Sequence, residues 1–283
     1  MQSLIVVSLI WAFSFGLIRR YLTSLDSATV ACLRLALSCL VFAPWLRPRL
    51  MTQIVRWKLM GIGALQFGLM YLLYIEAFHY LYAYQVAMLT LFTPLFVSLF
   101  DGSMARRFSA LAISAALLAA LGAMIVVGFQ PVGHTAWRGI LLVQASNAAF
   151  ALGQLLYRRF RLLHTEHSDR LLMPWLYLGA MLSALPVAAP TAVLSLTSMT
   201  TPQWVVVIYL GVIASGFGFY LWNSGSARVS AAALAVMNNA KIPLGVLVSV
   251  VVFRETINAA RLVVGTMIIG VGFAIAQRHR SPR

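Results

Sequence analysis

The chain has 283 residues, 61% of them apolar and 10% charged, where an ordinary soluble domain carries roughly 45–50% apolar and about 25% charged residues. That balance excludes a water-soluble globule. Lys and Arg number 21 against 6 Asp and Glu, a formal charge of +15, but the basic residues cluster between long apolar runs, as juxtamembrane charges do, and form no stripe for a nucleic acid.

In chain order the apolar segments span 3–18, 28–46, 57–79, 82–100, 108–128, 137–157, 171–189, 203–223, 229–252 and 259–277. Each is close to the roughly 20 residues that cross a bilayer, so the chain is predicted to be an all-α integral membrane protein of ten transmembrane helices. The start, Met1-Gln2-Ser3, has no positive n-region and no small-residue cleavage site, so the first segment reads as a retained span. Cys32 and Cys39 lie seven positions apart on one predicted helix, about 10.5 Å along its axis, too far for a disulfide. Pro44 and Pro48, Pro131-Val132-Gly133, Pro190, Thr201-Pro202 and Asn223-Ser224-Gly225 punctuate the segments, and the aromatic cluster Tyr80 to Tyr84 marks an interface between the third and fourth. Counting Lys and Arg on alternate sides puts fourteen on the side of the termini and five opposite. Both termini are therefore expected in the cytoplasm, the protein sitting in the inner membrane, although Arg19-Arg20 falls on the outer side.

Sliding the chain by 149 residues pairs Ala83 with Ala232, Met88 with Met237, Pro94 with Pro243, Leu95 with Leu244 and Val97 with Val246; a shift of 139 pairs Arg19-Arg20 with Arg158-Arg159. The expected organisation is two five-helix repeats, residues 1–130 and 131–283. An odd number of spans makes them run oppositely through the membrane, a transporter design with the substrate site where the halves meet.

The segments AFHYLYAYQVAMLTLFTPL (77–95) and SARVSAAALAVMNNAKIPLGVLVSVVVFRE (226–255) resemble the fourth and ninth helices of the drug/metabolite transporter superfamily, EamA type. The resemblance covers essentially the whole chain, including Pro94, Pro243, and Glu255 before a last helix bearing Gly265, Gly270 and Gly272. It implies a carrier that exports small metabolites, such as amino acids or carboxylates, through a central cavity by alternating access. The first copy departs from the pattern, for FDGSMARRF (100–108) holds no carboxylate matching Glu255.

Ionisable groups inside a membrane cost about 2.5–3.5 kcal/mol at a helix centre unless they face a cavity or a partner. Lys241 falls mid-span where the first copy has Phe92, beside Asn238 and Asn239. It reads as an ammonium that docks a substrate carboxylate and exchanges a proton during transport, against the alternative of a structural cation. Arg34 and Glu76 are expected to form an ion pair that holds the second and third helices together or gates the outer mouth, with His79 a turn further out. Gln144 and Asn147, three apart on one face, line a cavity or bind helices together, as does Gln66. Trp11, Tyr74 and Trp222 are candidates to stack a ring or an amine, against interfacial belt positions. Ala112, Ala116 and Ala120, with Gly211 and Ser215, read as close-packing positions, and Pro94 and Pro243 as kinks with a hinge role.

No metal site or cofactor is expected, and no G-x-x-x-x-G-K-[ST] run occurs, so gradients would supply the energy. The partners foreseen are a small-molecule substrate, the bilayer with its anionic lipids and a coupling proton, with no nucleic acid, in a monomer or homodimer. The alternatives weighed are a carrier of amines or drug-like molecules, an intramembrane enzyme, which would need an H-E-x-x-H, a G-x-S-x-G or paired aspartates, and a cofactor-binding membrane anchor.

Overall fold

The computed structural model describes residues 2–104, 134–226, 250–254 and 258–278, together with 114, 117, 118, 121, 122, 125 and 248. These residues are helical throughout apart from short connections. Helix α1, Gln2–Leu17, runs on through a π-helical turn, Ile18–Leu22. The next six are α2 (Ser27–Trp45), α3 (Gln53–Ala77), α4 (Ala83–Met104), α5 (His134–Leu163), α6 (Asp169–Ser198) and α7 (Thr201–Ser226). Each of these six is long and apolar enough to cross a membrane. The last described helix is α8, Ala259–Arg278.

Capping follows the sequence. Asp26 accepts the Thr29 amide at 2.7 Å to start α2, and Gln203 Oε1 accepts the Thr200 amide at 2.8 Å to start α7. These eight helices lie on eight of the ten expected segments; most of 108–128 and of 229–252 falls outside the described residues, as does the expected repeat boundary at 130/131. One expectation is corrected. Pro190 does not end its helix, because α6 continues through Pro174, Pro186 and Pro190 to Ser198. Hydrocarbon offers the backbone no water, so helix persists through a lost donor where an aqueous chain would break.

Helix α6 packs in the angle between α2 and α3, α5 between α3 and α4, and α7 leans on α1 and α2. Lipid tails are as apolar as the side chains, so close backbone approach and interhelical hydrogen bonds hold such a bundle together. The α3–α6 crossing shows it reciprocally: a Cβ at Gly63 would lie 1.9 Å from the Leu176 carbonyl oxygen, and one at Gly179 2.1 Å from that of Met60. The outward faces carry exposed Leu9, Leu40, Leu141, Val193 and Leu194, surface that hydrocarbon covers. Arg19 and Arg138 stack on Tyr82 and Tyr80 at one end of the bundle, whereas Arg56 on Trp175 and Arg161 on Asp169 lie at the other.

Candidate functional site

Local breaks in the helical hydrogen bonding of α7 and α4 shape the site. In α7 the stretch Tyr209–Phe217 is π-helical. A π-helix displaces carbonyls from their usual amide partners. Side chains from other helices compensate: Tyr177 of α6 donates its hydroxyl to the carbonyls of Ser215 (3.0 Å) and Gly216 (2.7 Å), and Ser38 of α2 donates to Gly211 (2.8 Å). In α4 the turn Thr90–Phe92 tightens to 3-10 just before Pro94. Proline removes the amide that would reach the Thr90 carbonyl, and the Thr93 hydroxyl takes that acceptor at 2.9 Å. The Leu89 carbonyl is taken by Asn147 Nδ2 at 2.9 Å and, more weakly, by Gln144 at 3.5 Å.

Between these breaks lies a cavity with about 560 Å³ of space, its mouth included. Its apolar wall is Trp11, Phe15, Met70, Phe150 and Phe219. Trp11 and Phe219 have centroids 5.1 Å apart, and Phe219 stacks on Phe67 at 4.5 Å. The polar side is Arg34, Tyr71, Tyr74, Thr90, Thr93, Asn147, Ser14 and Ser146.

Arg34 is only 2% exposed. Its guanidinium lies 4.1 Å from the Tyr71 ring centroid, donates from Nη2 to the Tyr71 hydroxyl at 2.7 Å, and donates to Ser215 Oγ from Nε at 3.3 Å and Nη2 at 3.1 Å. Ser215 gives its own hydrogen to the Leu210 carbonyl at 2.7 Å, so the Tyr71 hydroxyl, 2.8 Å away, donates to Ser215. Nη1 has no hydrogen-bond partner among the described residues, and no described carboxylate pairs with the guanidinium. Thus α2, α3 and the π segment of α7 together hold a permanent cation at mid-bundle with the two Nη1 hydrogens to spare, in a cavity whose remaining described lining is neutral.

The expected Arg34–Glu76 ion pair does not form. Glu76 accepts from Ser27 Oγ at the start of α2 and from the Tyr80 hydroxyl at 3.1 Å, with His79 Nδ1 at 3.6 Å. Helical rise explains the correction: Ser27 and Arg34 are seven positions apart, about 10.5 Å along the axis, so the Glu76 cluster marks a mouth while Arg34 lies well inside. His79 stands at that mouth, its side chain 34% exposed.

Trp11 and Tyr74 line the cavity, and Trp11 donates to the Ala214 carbonyl at 2.8 Å. Trp222 stands behind the wall, fully buried, its centroid 5.1 Å from that of Trp11 and its Nε1 donating to Gln154 at 3.2 Å. Asn147 lines the cavity and Gln144 supports it, each also closing the α4 break, and Pro94 sits in that break. Gln66 lies apart, donating to Asn223 at 3.0 Å. Lys241, Asn238, Asn239, Pro243, Glu255, Ala112, Ala116 and Ala120 lie outside the described residues. Gly211 does pack closely, an added Cβ meeting Leu37 at 2.7 Å. Sequence reasoning missed Tyr71, Ser215, Thr90, Thr93 and Phe219. Ser215 was read as a spacer beside Gly211, although a cation at the depth of Arg34 already demanded hydroxyl partners from other helices.

The EamA-like transporter family model matches residues 2–128 and 137–276. The biotin transporter of Escherichia coli is 34% identical over 289 residues, covering 100% of this chain and 95% of its own. That of Salmonella typhimurium is 35% identical over the same span, and the "Probable biotin transporter" of Pseudomonas aeruginosa is 36% identical over 271 residues, 95% of this chain and 94% of its own. A solved crystal structure superposes with a TM-score of 0.67 at 19% identity, covering 97% of this chain and 96% of that one, which shows a shared fold.

Proposed function

Because the chain belongs to the EamA-like transporter family and is a multi-pass membrane protein, we propose that it is a secondary carrier of a small monocarboxylate bearing a fused ring system, with biotin, the molecule named for its relatives, as the cargo. The observation that carries this reading is Arg34: a buried guanidinium with no carboxylate partner among the described residues and a spare Nη1 donor, beside an aromatic wall. A guanidinium stays charged at any physiological pH, and burying it uncompensated costs several kcal/mol. A substrate carboxylate offsets that cost and accepts the spare donor. The rings of Trp11, Phe150 and Phe219 suit a fused bicycle. A free amino acid would bring an ammonium that no carboxylate among the described lining residues answers, and an amine cargo would meet Arg34 with like charge.

Alternating access follows from the expected arrangement of ten helices in two inverted halves, 1–130 and 131–283. The two separate matches to the family model support that division. Arg34 and Tyr71 come from the first half and Ser215 from the second, so rocking one half against the other changes the guanidinium's partners. The fourteen Lys and Arg on one side against five on the other support the expected orientation, with both termini cytoplasmic.

The test is uptake of labelled biotin into proteoliposomes. Saturable uptake that unlabelled biotin competes and biotin amide, which lacks the carboxylate, does not compete is the expected result. Uptake no greater than in protein-free liposomes, or equal competition by the amide, refutes it.

A further inference from the structure

Hydrogen-bond accounting within the cavity separates its donors from its acceptors. A hydroxyl has one hydrogen and two lone pairs, and a carboxamide nitrogen has two hydrogens. Here nearly every hydrogen on the lining is already spent on the protein. Thr90 donates to the Ala87 carbonyl at 2.7 Å and Thr93 to that of Thr90 at 2.9 Å, with Asn147 Oδ1 in reach at 3.2 Å. Ser146 donates to Met70 at 3.0 Å, and Ser14 to Ile10 at 3.5 Å. Asn147 uses both amide hydrogens, on Leu89 at 2.9 Å and Gln144 at 3.3 Å. Among the described lining side chains, the donors left over are Arg34 Nη1 and the Tyr74 hydroxyl. The groups left over at the α4 break are lone pairs, on Thr90 and Thr93.

We infer that Thr90 and Thr93 accept N–H groups of the substrate, so that the carrier selects cargo with a carboxylate on one part and paired N–H donors on another, and is indifferent to the carbonyl between those donors. The inference rests on the reading of the Arg34 cavity as the substrate site. Both hydroxyls are left as acceptors because their hydrogens go to backbone carbonyls, that of Ala87 in the helical turn before the 3-10 turn and that of Thr90 within it. A cyclic urea meets the requirement through its two N–H groups. Its carbonyl finds no described lining donor beyond the Nη1 hydrogens and the Tyr74 hydroxyl, the groups that stand ready for the carboxylate. An N–H lost from the cargo would leave buried lone pairs unpaired, and such omissions are punished far more heavily than changes of apolar shape.

The experiment is competition against labelled biotin on the detergent-purified full chain, with three competitors: biotin, an analogue whose two ring N–H groups are replaced by oxygen as a cyclic carbonate, and an analogue whose ring carbonyl is a thiocarbonyl. The carbonate is expected to bind roughly ten- to a hundredfold more weakly than biotin, and the thiocarbonyl analogue within about threefold of it. Thr90→Val should weaken biotin while leaving the carbonate unchanged, and Thr90→Ser should restore biotin binding. A carbonate that competes as well as biotin, a thiocarbonyl analogue that fails, or a Thr90→Val loss equal for both ligands overturns the inference while leaving biotin as cargo. Should Thr90→Val not fold, the three competitors on the unaltered chain decide alone. If labelled biotin does not bind a folded, monodisperse preparation, the proposed function falls and this inference with it.

Discussion

Replacing Arg34 by Met should make the empty carrier more stable and a poorer binder, two effects that a purely structural arginine would not combine. The substitution removes three donated hydrogen bonds and the stack on Tyr71, each bond worth about 1.5–3 kcal/mol where a charge takes part. It also removes the desolvation penalty of an unpaired cation, several kcal/mol per buried ion. No new orphan appears, since Tyr71 still donates to Ser215 and Ser215 to the Leu210 carbonyl. Exchanges of buried ionic groups for apolar side chains of similar volume come out between about neutral and about 3 kcal/mol more stable, here a rise in melting temperature of up to about 12 °C at roughly 2–4 °C per kcal/mol. Binding moves the other way. Losing one charge-assisted contact to the substrate carboxylate costs about 1.5–3 kcal/mol, roughly ten- to 150-fold in Kd. Thermal unfolding of the ligand-free protein in detergent reads the first effect, and equilibrium binding of labelled biotin the second. A variant that melts well below the parent while its surviving folded fraction binds biotin with parental affinity would refute the assignment of Arg34 as the anion dock.

Asn147→Ala leaves the Leu89 carbonyl with only the weak Gln144 contact and should lower stability by about 1–3 kcal/mol, seen as a lower melting temperature; no change would mean that the α4 break does not depend on this clamp. Gly179→Leu drives a side chain into the Met60 backbone, and a crossing held by backbone contact cannot yield by rotamer change; loss of the monodisperse peak in size-exclusion chromatography is expected, and a parental profile would count against the close α3–α6 crossing. Lys241→Ala, at the cation expected mid-span, should abolish transport with expression intact; parental uptake would leave Arg34 as the anion dock by itself.

Much of this protein was legible before any coordinates. Composition and the spacing of apolar runs dictated a helical membrane protein, because hydrocarbon accepts backbone only when its hydrogen bonds close within the segment. Eight of the expected segments carry a described helix, and Pro94, singled out as a hinge, follows the 3-10 turn of α4. Arg34 was singled out as well, but paired with the wrong residue. Apolar periodicity locates a helix to within a few residues and says nothing of which turn faces which neighbour, so the 10.5 Å between the levels of Ser27 and Arg34 could not be read from hydropathy.

Three-dimensional packing alone decided the chemistry of the cavity. The π stretch of α7 and the 3-10 turn of α4 leave no mark in composition, yet carbonyls in and beside them consume the hydrogens of Ser215, Thr90, Thr93 and Asn147. Whether a hydroxyl offers a ligand its hydrogen or its lone pair depends on which backbone carbonyl lies within 3 Å of it. Positions 34, 71 and 215, from three different helices, converge on one guanidinium only after the bundle has closed around them.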